Sequence, residues 1–296
     1  MNMRTAKAWK AFYRAERESL GRKGLQQLIA SAPPLTIAKD VAGAIVFPHT
    51  RLSESGRLPA AAARAVVESK CQTVLALGVL HGAREQDAAL VQRARAGDVD
   101  ALRHLRRIHG PGVAGDREHW TEEFSLDNFQ ALVEVAAEMA GVQPPKVIAR
   151  YPFLTGDEPL TMPGLDELRQ ILDQGAVLVA TTDPIHEGIG YGTAAKELLP
   201  RESEETKRTA RQWIEEGFTS LARRDYRAFL DNAQAVRSDF RDVGPVLVTL
   251  LNVPNILARV HELLLVDYHD VLQCAEPTWV AAALASFTPS PPEEGK

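Results

Sequence analysis

Three short apolar runs set the tightest limit on what this chain can fold into. Gly43-Ala-Ile-Val-Phe47, Thr73-Val-Leu-Ala-Leu-Gly78 and Ala176-Val-Leu-Val-Ala-Thr181 are apolar at successive positions, not at alternate ones. A strand with one wet face alternates, whereas a strand covered on both faces does not. Stretches of helical character lie between them, at 58–69, 124–140 and 163–173. Buried strands interspersed with helices predict an α/β fold: a single-domain sandwich with a mostly parallel or mixed central sheet flanked by helices. At 296 residues, 45% hydrophobic and 25% charged, the chain can bury such a core unaided.

The remaining segments extend this plan. Residues 5–31 read as an amphipathic helix with Trp9, Phe12 and Tyr13 on one side, stopped by Pro33 and Pro34. Residues 146–153 read as a strand, 202–223 and 225–234 as helices, 243–251 as a buried helix, and 262–267 and 278–287 as closing strands. Gly141 sits where a helix C-terminus wants glycine. Residues 84–119 are polar and Arg-rich and read as an excursion from the core, with His104 and His109 solvated. Its basic residues suit a solvated helix face, and its place beside a motif histidine also makes it a candidate lid. One domain is expected over 1–287, with a disordered tail at 288–296.

Charge and cysteine usage remove several classes of function. The net charge is −5 and no long basic run appears, so neither nucleic acid nor an anionic membrane is expected as main partner. Cys71 and Cys274 are too few for a disulfide framework and form no zinc-type pair. No signal-type start and no membrane-length apolar run is seen; the best candidate, 243–253, is short and holds Thr249 and Asn252. A cytoplasmic protein with a small-molecule substrate is the expectation, with a homodimer as the assembly to test.

Open α/β sheets bind ligands beyond the carboxyl ends of their strands. That rule selects Pro48-His49, Gly78-Val-Leu-His81 and Thr181-Thr-Asp183-Pro-Ile-His186. Each of three buried strands is followed by a histidine, out of eight in the chain. Any one alone reads best as an ordinary hydrogen-bonded histidine; three at one sheet edge read as a site. Neutral imidazole binds borderline metals, and two histidines with one carboxylate leave positions open. His119 lies in a loop from which it could approach the site, while His261 and His269 read as ordinary hydrogen-bonding residues.

These segments resemble the Memo family, which is related in fold to the class III extradiol ring-cleaving dioxygenases. The likeness runs from about residue 42 to 287. It rests on Ala44-Ile-Val-Phe-Pro-His49 with Ser55-Gly56, Leu77-Gly-Val-Leu-His81, Glu123-Phe-Ser-Leu-Asp127, Thr181-Thr-Asp183-x-x-His186, Val266-Asp-Tyr268 and the final strand from Trp279 to Phe287. The resemblance implies that His49 and His81 are metal ligands, that His186 is the acid/base and that Asp183 orients the site. The family's cysteine before a Gly-x-x-Pro stretch is absent from 240–245. Asp242 either completes a 2-His-1-carboxylate set there or caps the helix that follows. Gly82, Phe124 and Thr50-Arg-Leu52 also depart from the family pattern. Arg51, Glu123 and Tyr191 are the substrate-side candidates, with Arg51 suited to a carboxylate.

The expected function is a mononuclear non-haem Fe(II)-dependent oxygenase acting on a catechol- or aminophenol-like substrate. The alternatives are a Memo-like metal-binding or protein-interaction protein that uses no oxygen, and a metal-assisted hydrolase with zinc on His81, His186 and Asp183.

Overall fold

The computed structural model describes residues 5–35, 43–82, 87–113 and 119–290, apart from the His119 side chain. Eight strands form one mixed sheet: β1 (Ala44–Phe47), β2 (Thr73–Leu77), β3 (Arg107–His109), β4 (Lys146–Phe153), β5 (Val177–Thr181), β6 (Ile185–Gly188), β7 (Ile256–Asp267) and β8 (Thr278–Pro289). The centre is parallel: β4 lies beside β2, β2 beside β5 and β5 beside β1. Antiparallel strands finish both sides, β3 on β4 at one edge and β8 on β1 at the other.

The α/β sandwich expected from the sequence is therefore present, and its two faces explain the unbroken apolar runs. Ile45 and Phe47 of β1 enter one core while Ala44 and Val46 enter the other. Val74 and Ala76 against Leu75 and Leu77 repeat this in β2. One face is covered by α1 (Ala6–Ser31), α3 (Arg57–Glu68) and α6 (Asp127–Met139), with Leu52 of the one-turn α2 (Leu52–Ser55) in the same core. The other is covered by α7 (Leu165–Asp173), α8 (Glu204–Ala222), α9 (Tyr226–Ala235) and α10 (Val243–Leu251). Every residue of α10 is buried, as a sequence with no charged residue and a single hydroxyl, Thr249, predicts.

β8 organises the sheet beyond β1. β7 pairs with it along nearly its whole length, from Asp267–Trp279 to Ile256–Pro289. Its other edge is shared by two short strands. Residues 285–287 pair with β1, and residues 278–281 pair with β6. β6 thus continues the sheet where β1 ends, and His186 comes to lie just beyond the His49 end of β1.

Four local expectations need correction. The segment after His81 is no excursion: α4 (Ala88–Arg95), α5 (Val99–Leu105) and β3 bury Val91, Ala94, Ala101, Leu105 and Ile108 in the cores. Most of its sparse large apolar residues face inward, Val99 excepted, and Arg106 satisfies the carbonyls of Thr155, Glu158 and Thr161. His109 is buried in β3, not solvated. β7 starts six residues before the expected 262 because its first half alternates half-buried and exposed positions, so it carries no continuous apolar run. Thr288 and Pro289, placed in the tail by sequence, pair with Leu257 and Ile256; residues 291–296 lie outside the described residues, as do 84–86 and 114–118.

α1 is two helices joined at Gly21, whose φ of 59° and ψ of −176° break the ladder. The first half crosses the carboxyl edge of the sheet. Lys10 donates to the carbonyls of Thr121 and Glu123, and the Glu16 carboxylate accepts from the Leu52 and Ser53 N–H groups. No helix among the described residues is long and apolar enough to cross a membrane.

Candidate metal centre

Because β2, β5 and β1 are parallel neighbours, their carboxyl ends deliver His81, Asp183 and His49 to one edge side by side. The imidazoles meet there, with His49 Nε2 3.2 Å from His81 Nε2. A carboxylate closes the group. Asp239 Oδ2 lies 3.1 Å from His49 Nε2 and 3.7 Å from His81 Nε2. Asp183 Oδ2 is 3.6 Å from His49 Nε2. Among the described residues, His49, His81 and Asp239 form one set able to hold a metal ion, and Asp183, His186 and Asp239 form an adjoining set.

Each of these side chains is fixed from behind. His49 Nδ1 hydrogen-bonds Thr181 Oγ1 at 3.0 Å, while its N–H donates to Asp183 Oδ1. His81 Nδ1 lies 3.0 Å from Glu123 Oε1. Glu123 in turn accepts from the N–H groups of His81, Phe124 and Ser125. His186 Nδ1 donates to the Arg237 carbonyl at 2.8 Å. In all three histidines Nδ1 is engaged, which leaves Nε2 for the site. That division of labour fixes tautomer and ring plane in metal-binding histidines.

Asp239 opens a 3₁₀ turn (Asp239–Arg241) whose start is capped by Ser238, its hydroxyl accepting from Phe240 N. Its Oδ1 accepts from Thr182 Oγ1 at 2.9 Å and from the Asp183 N–H at 2.8 Å. Its Oδ2 is buried and makes no hydrogen bond. A buried carboxylate oxygen that makes no hydrogen bond and faces only two imidazoles is costly, and a cation is its natural complement. Oδ2, facing two available Nε2 atoms, fits a divalent ion in donor type and direction.

Electrostatics agree with a site that gathers positive charge. Burial pulls the His81 pKa down, but Glu123 and Asp239 outweigh it and push it up to about 10. His49 shows the same contest, burial against Asp183 and Asp239, with a net rise. Burial alone would raise Asp239, yet His49 and His81 hold it well below the usual carboxylate range. Asp183 is pushed up to about 7 by burial, with Asp239 adding to the rise and His49 opposing it. Burial lowers His186 and favours its neutral form.

A cavity of about 200 Å³ opens onto this cluster. His49, His81, Asp183 and His186 contribute to its floor, and Trp9, Tyr13, Phe124, Tyr191 and Tyr268 to its walls. Phe124 stacks on His81 with ring centres 4.4 Å apart, and Tyr13 stacks on Phe124 at 5.2 Å. Tyr191 meets His186 edge-on at 4.9 Å.

The sequence-derived residues divide as follows. His49, His81, Asp183 and His186 come together, and Tyr191 lies on the cavity wall. Asp242 does not join them. Its Oδ1 accepts from the Thr155 N–H and its carbonyl from the Thr155 hydroxyl, on the far side of the 3₁₀ turn. It occupies the N-cap position of α10 without making a side-chain cap bond. The carboxylate at the histidines is Asp239, three residues earlier. Arg51 turns away to Glu54 and the Asp267 carbonyl, so it presents no guanidinium to the cavity. Glu123 spends its oxygens on His81 and the neighbouring backbone, and so is an anchor for His81, not a substrate contact. His261 bonds Ser286, and His269 bonds Asp267. Sequence reasoning missed Asp239, Trp9, Tyr13 and Tyr268. The one local signal for Asp239 is Ser238-Asp239 as a turn start between an amphipathic helix and one without charged residues.

Fold and site together define a mixed α/β protein with a His/Asp cluster of metal-binding composition at the carboxyl edge of its parallel strands. No protein-family model matches the chain, and no curated protein matches it.

Proposed function

We propose that this chain is a mononuclear non-haem Fe(II)-dependent oxygenase of the Memo and extradiol-dioxygenase kind, acting on a small aromatic of catechol or aminophenol type. The observation that carries this reading is Asp239 Oδ2, buried without a hydrogen bond and 3.1 Å and 3.7 Å from the Nε2 atoms of His49 and His81. Two imidazoles and one carboxylate with an open side suit iron that must also admit substrate. Held there, iron would supply the one-electron chemistry that lets dioxygen react with an electron-rich ring.

The protein's own groups do the rest. A cavity of about 150 Å³ holds benzene, so the about 200 Å³ found here suits a single substituted ring. The aromatic walls favour a flat ring and keep water away. His186, favoured neutral by burial and anchored through Nδ1, offers Nε2 to take a phenolic proton and return it. Asp183 steadies the loop by accepting the His49 N–H.

Metal content after anaerobic purification tests this reading. Near-stoichiometric iron is expected in wild type and in Asp242→Asn, with loss in His49→Ala, His81→Ala and Asp239→Ala. Oxygen uptake with catechols should follow the iron. Wild type that takes up no metal after Fe(II) loading would end the proposal. A second reading, a metal-assisted hydrolase, draws on the adjoining Asp183, His186 and Asp239 set. Zinc copurifying in place of iron, without oxygen uptake, would favour it.

A further inference from the structure

Two of the cavity walls carry hydroxyls that meet each other. Tyr13 Oη and Tyr268 Oη are 2.7 Å apart, and both side chains are buried. Tyr268 Oη also accepts the Arg51 N–H at 3.2 Å. The pair owns two phenolic protons and shares one hydrogen bond. Whichever partner donates, one O–H is left over, and among the described residues no acceptor takes it. If Tyr13 donates, the free proton is on Tyr268; if Tyr268 donates, it is on Tyr13. Burial holds both phenols well above their ordinary pKa, so both keep their protons. A buried donor of this kind selects for an acceptor on whatever enters.

The surrounding charge sets the nature of that acceptor. The Asp183 carboxylate lines the cavity, and the carboxylates of Asp239 and Glu123 lie 3.1 Å and 3.0 Å from the lining residues His49 and His81. Arg51, the cation expected from the sequence, is held outside by Glu54 and the Asp267 carbonyl. Stripping water from an anionic substituent here would meet no compensating guanidinium. A ketone, aldehyde, ester or amide oxygen accepts the phenolic O–H and brings no charge.

We propose that the Tyr13–Tyr268 hydroxyl pair is the specificity element of this site, and that its ligand is a single-ring ortho-diphenol or aminophenol bearing an uncharged carbonyl-type acceptor. This rests on the aromatic-substrate reading above. The two tyrosines are positioning residues; they hold the ring's substituent and leave the proton chemistry to His186.

Calorimetric binding to Zn(II)-loaded protein, in which no turnover occurs, tests it with 4-methylcatechol, 3,4-dihydroxyacetophenone and 3,4-dihydroxybenzoate. The acetyl compound should bind about tenfold more tightly than the methyl compound, the worth of one hydrogen bond to a buried donor. The carboxylate should bind at least about a hundredfold more weakly than the acetyl compound. The Tyr13→Phe/Tyr268→Phe double variant should erase the acetyl preference while keeping methylcatechol affinity, a selectivity change that a purely structural role would not give. Carboxylate affinity matching that of the acetyl compound, or an acetyl preference that survives in the double variant, would overturn the inference and leave the ring-binding reading intact. Failure of all three ligands on metal-loaded wild type would overturn both.

Discussion

At the scale of single residues, the site depends on which of two aspartates three positions apart reaches the histidines. Asp239 and Asp242 flank one 3₁₀ turn and point to different neighbours. Substituting them should separate two phenotypes. Asp239→Asn should abolish stable metal binding with little effect on folding, read by metal analysis beside circular dichroism. Asp242→Asn should keep the metal and cost about 1–3 kcal/mol of stability, the usual toll of disturbing a buried hydrogen-bonded group, read by urea denaturation. Glu123 offers a third test. Because it accepts from both the backbone and the ring of His81, Glu123→Gln should weaken metal affinity by about 10–100-fold without removing a ligand. A competition titration against a chelator would read it. His49, His81, Asp183 and His186 were legible because buried strands announce their own ends. Asp239 was not legible: its Oδ1 contacts are Thr182 and Asp183, 57 and 56 residues away, and nothing local to 239 encodes them.

At the scale of elements, the amino-terminal helix shows how a correct secondary-structure assignment can conceal a function. Trp9, Phe12 and Tyr13 share one side, which sequence alone reads as an ordinary core-facing stripe. In the fold that stripe faces the carboxyl edge of the sheet, and Trp9 and Tyr13 become cavity wall. The direction of α1 turns at Gly21, where φ 59° and ψ −176° lie in a region that is essentially reserved for glycine. No atom stands within 4 Å of a Cβ built there, so the strain of a substitution is one of backbone alone. Gly21→Ala should therefore destabilise the protein by about 1–3 kcal/mol, detectable as a lower urea midpoint with an unchanged m-value. Gly78 works by the opposite means. A Cβ there would fall 2.3 Å from the Tyr151 ring, so glycine lets the end of β2 approach β4 closely before the chain turns to His81. Residues 87–109 were misjudged as peripheral for a related reason. Short helices with few apolar residues look solvated until the partner surface is known.

At the scale of the whole molecule, the parallel centre could be foreseen, but the arrangement around β8 could not. Apolar runs reveal which strands are buried on both faces and say nothing about neighbours. That β5 enters between β2 and β1, and that β1 and β6 divide one edge of β8, depends on contacts across most of the chain. The metal cluster draws on β1, β2, β5, β6 and the turn after α9, so an ion bound there ties distant parts of the fold together. An ion that binds only the native state, at a free concentration of 100 times Kd, adds about 2.7 kcal/mol. Removing it with a chelator should lower the melting temperature by on the order of 5 °C, and readdition should restore it. The same shift should be absent in Asp239→Asn, as scanning calorimetry of both proteins would show.

The division of β8 also sets what His186 depends on. Among the described residues β6 pairs with no strand other than β8, and the carbonyls of Val236 and Arg237 hold the His186 backbone and ring from the other side. His49 and His81 instead follow strands paired within the parallel centre. Loosening of residues 278–281 would therefore free the third histidine and leave the first two in place, so one half of the cluster can be disturbed without the other.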